Sequence, residues 1–176
     1  MTMMAILTGA GLSQSDIDLL AKNFAVTFPD DYRDFLAKYN GLRVESPDYC
    51  DLPFDKVDNG YVSFDALFGH DVSNENYDIS VMNDELLDEL SFVENAVIIG
   101  IDPGDNGYVL ITEGEQSGVY YWDRSCLHVD DAKQDYDIAG DEDSQHLYLL
   151  AGTFQQFFDI LSGLTIQKGM SVSPGL

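Results

Sequence analysis

The sequence predicts a single α+β domain whose central, antiparallel-rich sheet packs against N-terminal and C-terminal helices. Helix patterns occupy the start of the chain, strand patterns are grouped in its middle, and a further helix pattern lies near its end. Helices segregated from a run of strands are typical of this fold class. The length of 176 residues suits one domain that can bury a core without metals or disulfides.

The first predicted helix begins after Ser13 and follows a short N-terminal lead over residues 1–12. Ser13 and Asp16 have the S-x-x-D spacing of a capping-box variant, in which the serine hydroxyl accepts a hydrogen bond from the first turn. An apolar face comes next, formed by Ile17, Leu19, Leu20 and Phe24. This pattern predicts a short helix packed on the core.

The second predicted helix, residues 30–39, carries its start and stop signals in the sequence. Pro29 fixes φ at the entrance, and the acidic pair after it places negative charge beside the unpaired N–H groups of the first turn. One apolar stripe is formed by Tyr32, Phe35, Leu36 and Tyr39. Asn40 and Gly41 end the helix, and we expect Gly41 to adopt the left-handed conformation of a position just past the helix.

The segment between the second helix and the main strands is more irregular. Residues 42–60 contain two prolines, a glycine and scattered Asp, so they are predicted to form a loop with little regular structure. The alternation in residues 61–68 predicts a strand. Residues 73–90 are polar with spaced apolar positions, which predicts one or two short helices.

The strand signal is strongest after residue 95. The apolar run 96–101 predicts a central strand, and residues 108–112 and 118–123 predict a hairpin. The remaining patterns predict, in order, a mobile acidic loop over 130–145, a strand over 146–150, a helix capped by Thr153, and a flexible tail over 163–176. The folded domain is therefore expected to span residues 13–162.

The charge of the chain is its most unusual bulk property. Thirty-two acidic residues stand against eight basic ones, for a net charge of −24. Such a surface repels nucleic acid and anionic membranes and attracts cationic partners. An acidic proteome or a need for solubility would produce a similar composition.

The charge is also uneven along the sequence. Fifteen acidic residues and no basic residue lie between Lys56 and Arg124. A second block, residues 130–143, has seven acidic residues against Lys133. The sequence therefore predicts two candidate acidic surfaces.

Other features point to a cytoplasmic protein. Cys50 and Cys126 do not form a C-x-x-C pair, which favours a reducing compartment, although one disulfide between them stays open. The N-terminus lacks the basic region of a signal peptide, and no apolar run reaches membrane-spanning length.

No metal, cofactor or catalytic site is predicted. Residues 102–113 approach a calcium-loop pattern, but Gly104 offers no side-chain oxygen and the flanks read as strands, so a β-turn is expected. Cys126 and His128 alone have the close spacing of zinc ligands. Paired carboxylates are unavoidable among 32 acidic residues and carry no information on catalysis. We therefore expect a protein that is not an enzyme.

Several segments, in order, resemble the SUKH superfamily. The entry motif of that superfamily is matched by Phe28-Pro29-Asp30-Asp31, then Tyr32, Phe35-Leu36 and Asn40-Gly41. Its later landmarks are matched by Phe64 with Leu67-Phe68-Gly69, Ile99-Gly100 with Gly104-Asp105, Gly118-Val119-Tyr120 with Trp122-Asp123, and Leu150 with Phe154 and Phe157-Phe158. The chain departs from the pattern at Leu42, where a second glycine is common, and in its longer acidic segment 130–145.

The resemblance implies a protein-binding module without a cofactor. The superfamily contains bacterial toxin-immunity proteins and Smi/Knr-type regulators of fungal cell-wall assembly. We expect an immunity protein of a polymorphic toxin system, which neutralises a basic, nuclease-like toxin. The alternative is a Smi/Knr-type regulatory scaffold that binds a cellular protein. A toxin gene beside this one would favour the first reading, and an isolated gene the second.

The partner is expected to be a protein, with neither nucleic acid nor membrane as a ligand. Binding residues are common on loops, so acidic residues in residues 48–58 or in residues 130–143 are the candidates for contact. The predicted partner-binding residues are Asp48, Asp51, Asp55, Asp58, Asp130, Asp131, Asp141, Glu142 and Asp143.

Overall fold

The helices form where their local signals predicted them. The computed structural model describes residues 5–45, 50–141 and 145–176. The α-helices in these residues are α1 (Gln14–Asn23), α2 (Asp30–Lys38), α3 (Ile79–Leu86) and α4 (Phe154–Leu164), with short 3₁₀ turns at Glu75–Tyr77, Leu87–Leu90 and Ile166–Lys168. Ser13 caps α1 and Thr153 caps α4, each accepting a hydrogen bond from a first-turn N–H.

The strands build one large sheet and a separate hairpin. The strands are β1 (Ala5–Thr8), β2 (Leu42–Val44), β3 (Cys50–Pro53), β4 (Tyr61–Phe64), β5 (Ala66–Leu67), β6 (Ala96–Ile101), β7 (Gly107–Ile111), β8 (Gly118–Trp122), β9 (Leu147–Ala151) and β10 (Ser171–Pro174). In the described residues the large sheet has the order β10-β1-β2-β5-β6-β7-β8-β9. Only β1 and β10 run parallel, so the fold is α+β with a mostly antiparallel sheet, as predicted.

The core is aromatic and lies on both faces of the central strands. Strands β7 and β8 are buried along their whole length. Tyr108, Tyr121 and Tyr148 stand on neighbouring strands, with successive ring centroids 6.0 and 6.3 Å apart. Helix α4 packs on this row through Phe157, 5.7 Å from Tyr108. Phe154, on the same helix, meets Tyr32 of α2 at 5.0 Å.

The prediction of an irregular loop over residues 42–60 is wrong in part, because β2 and β3 lie within it. Leu42 and Val44 are buried in the large sheet. Cys50 and Leu52 are the buried residues of β3, which alternate with exposed ones. Prolines are tolerated on edge strands, where a missing N–H breaks no ladder. Pro53 closes β3 in this way.

The strand predicted over residues 61–68 is two strands in different sheets. Tyr61–Phe64 pairs with β3, and Ala66–Leu67 pairs with β2 and β6. The chain crosses between the sheets at Asp65, whose carboxylate accepts a hydrogen bond from the Tyr77 hydroxyl. The crossing splits one alternating pattern into two elements.

The C-terminal segment is a paired strand where a flexible tail was predicted, and β1 lies within the predicted N-terminal lead. Strand β10 runs beside β1, and the N–H groups of Gly175 and Leu176 both donate to the carbonyl of Thr8. The Leu176 side chain is buried against Gly41. Backbone pairing and a buried leucine therefore hold in place a segment whose Gly and Pro content predicted a flexible tail.

Candidate protein-binding surface

The two segments offered for partner contact, residues 48–58 and 130–143, meet through their described parts. The β3–β4 loop, residues 54–60, lies against the β8–β9 loop, whose described part is residues 123–141 and 145–146. We call these two loops the loop pair. The sequence offered the two segments as alternatives, and the structure brings them together at one edge of the molecule.

Asp58 joins the two loops through backbone groups. Its carboxylate accepts hydrogen bonds from the N–H groups of Ala132, at 2.7 Å, and Lys133, at 3.0 Å. Its own N–H donates to the carboxylate of Asp131 at 3.0 Å. These donors, first that of Lys133 and then that of Ala132, lower the pKa of Asp58, because they stabilise the charged form.

Both lysines of the loop pair are used inside it. Lys56 Nζ lies 2.8 Å from Asp137, and Lys133 Nζ donates to the carbonyl of Asp55 at 3.0 Å. Asp137 also accepts a hydrogen bond from the N–H of Leu149 at 2.7 Å. The two lysines thus hold the loops together, and Arg124 of the same loop pairs with Glu89 at 3.1 Å. The field that the loop pair presents to solvent stays negative.

A tight turn opens the β8–β9 loop. The buried carboxylate of Asp123 accepts hydrogen bonds from the N–H groups of Leu127 and His128, both at 2.8 Å. Cys126 takes a positive φ of 58°, which is uncommon for a side chain other than Gly, Asn or Asp. The His128 ring is buried, and Nδ1 lies 2.8 Å from the Asp131 carboxylate that also binds Asp58. One carboxylate therefore connects the turn to the other loop.

Tyrosines support the buried histidine. Tyr121 and Tyr148 meet the His128 ring edge-on, with centroids 5.8 and 6.4 Å away. Burial raises the pKa of Tyr148 to about 12 and that of Tyr121 further, so both stay neutral phenols at physiological pH. Their role here is packing.

The structure divides the predicted acidic residues into two kinds. Asp58 and Asp131 hold the loops together, and Asp51 accepts a hydrogen bond from Ser63 across the hairpin. Asp55 and Asp130 are exposed, and their carboxylates accept no hydrogen bond within the described residues. Exposed Asp141 ends the described part of the loop, and Asp48, Glu142 and Asp143 lie outside the described residues.

Sequence reasoning missed three residues of this surface, Leu127, Val129 and Tyr136, whereas Asp135 belongs to the acidic block 130–143 that it proposed. Asp135 is exposed, and its carboxylate is without a hydrogen bond among the described residues. Leu127 and Val129 are 60% and 48% exposed, and Tyr136 is 37% exposed and stacks on His146. The sequence Leu127-His128-Val129 alternates apolar and polar residues, which indicates that Leu127 and Val129 share one side of the chain and His128 the other.

No metal site emerges from the described part of the chain, which has no cluster of three or more His, Cys, Asp or Glu side chains suited to a cation. The calcium-like segment forms the turn between β6 and β7. There, Asp102 accepts hydrogen bonds from the N–H groups of Gly104 and Asn106 at 2.7 and 2.8 Å.

The two cysteines differ in exposure. Cys50 is buried, which raises the pKa of its thiol to about 11, whereas Cys126 is partly exposed.

A cleft of about 650 Å³ lies between β2 and the 72–77 segment, away from the loop pair. The Arg43 guanidinium lies 4.5 Å above the Tyr77 ring and 4.0 Å from Asp65. Glu75 also lines this cleft, so its described lining holds one acidic and one basic side chain. The cleft has no grouping of residues that selects a ligand.

Comparison with protein families places the chain. No described helix has both the length and the apolar character required to cross a bilayer. The comparison with curated proteins finds no match. The model of the SMI1/KNR4 family (SUKH-1) matches residues 11–160, which is most of the chain. The protein therefore belongs to the SMI1/KNR4 family (SUKH-1).

Proposed function

We propose that this protein is a non-enzymatic binding module, and specifically a cytoplasmic immunity protein that neutralises a basic, nuclease-like toxin. The observation that carries the proposal is the loop pair. It is an acidic surface on which Asp55, Asp130 and Asp135 are exposed and their carboxylates accept no hydrogen bond among the described residues. The match to the SMI1/KNR4 family (SUKH-1) supports a protein-binding role, and the superfamily that the sequence resembles includes immunity proteins.

The loop pair suits the active-site cleft of an enzyme that binds nucleic acid. Such a cleft is cationic because it must hold phosphates. A carboxylate surface would compete with the phosphates and exclude the substrate. Long-range attraction by a chain of net charge −24 would also speed association. The bonds through Asp58 and Lys56 keep the loops in place, so little ordering entropy is lost on binding.

The test is protection of cells from the toxin domain encoded beside this gene. We expect cells that produce the toxin domain to survive only when this protein is co-produced, and the purified pair to form a stable complex without toxin activity. An inactive toxin domain with its catalytic residue replaced serves as the control for expression burden.

A failure of protection would contradict the proposal. If no toxin gene lies beside this one, or if the toxin domain stays active in the presence of the protein, the Smi/Knr-type regulatory scaffold becomes the better reading. That reading keeps the binding module and replaces the toxin with a cellular protein.

A further inference from the structure

We propose that Leu127 and Val129 are the apolar anchor of the partner interface, and that the partner is a basic protein surface with an aliphatic recess. This inference rests on the proposed function and assigns the residues that would supply most of its binding energy. A few desolvated apolar or aromatic side chains usually dominate the affinity of an interface, while the charged rim contributes mainly to association rate.

The turn that presents these side chains buries a carboxylate and strains the backbone. Asp123 is 3% exposed, and its two carboxylate oxygens accept hydrogen bonds from the N–H groups of Leu127 and His128. Cys126 holds a positive φ of 58°, and such backbone strain is often found at functional sites. The result is that His128 is buried while the neighbours on both sides of it are left in water.

The backbone between the two side chains is held in position by the residue that separates them. His128 is fixed between Tyr121 and Tyr148 and by the Asp131 carboxylate. Leu127 is 60% exposed, the largest value among the exposed large apolar side chains of the described residues. A preordered apolar projection loses little entropy when it enters a recess.

The surroundings specify a cationic partner. Asp130 follows Val129 directly, and Asp58 reaches this turn through Asp131. Both lysines of the loop pair are engaged inside it. An acidic surface would therefore be repelled and a neutral one would gain no attraction, whereas basic residues around a recess would pair with the rim.

The first arm of the test measures dissociation from the inactivated toxin domain encoded beside this gene. We expect the double variant L127A/V129A to dissociate at least about tenfold faster than the parent, with an association rate changed by less than about twofold. The matched control is L19A/I160A, since Leu19 and Ile160 are 57% and 44% exposed on α1 and α4. The control should dissociate like the parent.

The second arm uses the unmodified protein and does not depend on how a variant folds. Cys126 precedes Leu127 and is partly exposed, whereas Cys50 is buried. A maleimide should label one thiol per free chain, and the toxin domain should slow that labelling at least about tenfold because the contact covers Leu127.

The outcomes separate the two claims. If the toxin domain binds but L127A/V129A dissociates like the parent and Cys126 is labelled as before, the anchor is elsewhere and the proposed function stands. If the toxin domain neither binds nor is neutralised, the proposed function fails and this inference fails with it. Faster dissociation of the double variant together with protection of Cys126 establishes the anchor.

Discussion

A single buried asparagine and the glycine after it determine how α2 ends. Asn40 takes a positive φ of 47° and Gly41 one of 101°, so two successive residues leave the helical conformation. The Asn40 amide donates to the carbonyls of Ala10 and His70, both at 2.9 Å, and accepts from the N–H of His70 at 2.8 Å. One side chain thereby connects the N-terminal segment, the helix end and the segment after β5.

We predict that Asn40→Ala destabilises the protein by about 3 kcal/mol or more. The substitution leaves three part-buried backbone groups of Ala10 and His70 without their side-chain partner, and each group that stays shielded from water costs about 1–3 kcal/mol. Urea denaturation gives the free energy of unfolding. Asn76→Ala is the control, because that residue is exposed in a short 3₁₀ turn. Equal effects of the two substitutions would contradict the structural role of Asn40.

Gly41→Val should destabilise by about 1–3 kcal/mol more than Gly60→Val. Both glycines have positive φ, so valine is strained at either site. Only at Gly41 does an added Cβ meet packed atoms, namely the Leu176 side chain and, at 2.8 Å, the N–H nitrogen of Gly69. Melting curves of the two variants measure the difference. Equal losses would show that the C-terminal residue does not pack on this helix end.

At the scale of elements, the sequence predicts those elements whose contacts join residues close together in the chain and misses those whose contacts join distant residues. The caps of α1 and α4 involve neighbours three residues apart, so the sequence predicts them correctly. Strand β10 pairs with β1 across most of the chain length, and no local pattern near residue 171 indicates that pairing. Strand β3 was missed for a related reason, since its pairing with β4 overrides the turn signal of Pro53.

The candidate surface likewise has features that the sequence predicts and features that depend on contacts between distant residues. Its acidic residues were visible in the composition, because charge blocks need no structure to be seen. Their union into one surface depends on Asp58 binding the backbone of residues 132–133, which sequence alone does not reveal. The exposure of Leu127 depends on the positive φ of Cys126, a tertiary feature without a sequence signal at a non-glycine residue.

Asp58→Asn should destabilise the protein at neutral pH and much less in acid. The folded structure lowers the pKa of Asp58 through the N–H groups of Lys133 and Ala132. A carboxyl whose pKa is lower in the folded state contributes stability above its unfolded pKa. That contribution is lost as pH falls through the folded value, so the gap between parent and variant should shrink below about pH 4.

Melting temperatures of parent and variant across this pH range test the Asp58 linkage. Glu113→Gln is the control, since Glu113 is exposed in the β7–β8 turn and without a hydrogen bond in the described residues. A gap between parent and D58N that is independent of pH would mean that the Asp58 charge does not hold the loops together.

At the scale of the whole molecule, the charge and the sheet edges both limit unwanted association. The net charge of −24 disfavours self-association and attracts cationic proteins. The outer edge of β9 is covered, because Leu147 pairs with Ile138 and the N–H of Leu149 donates to Asp137. The other edge strand, β10, ends in Pro174, which has no N–H to donate.

The association rate with the toxin domain tests the central claim most directly, because it asks whether the loop pair faces the partner. One variant neutralises the exposed acidic residues of the loop pair, D55N/D130N/D135N. The matched control, E94Q/E113Q/E115Q, removes the same charge from exposed side chains at the opposite end of the central strands. Both variants therefore have the same net charge and differ only in where the charge was removed.

At low salt, the loop-pair variant should associate about tenfold more slowly than the parent, and the control by less than about twofold. The difference should narrow as ionic strength rises past about 0.15 M, where the Debye length is about 8 Å. If the two variants slow association equally, only the net charge matters. If neither slows it, the loop pair does not face the toxin, and the account is wrong.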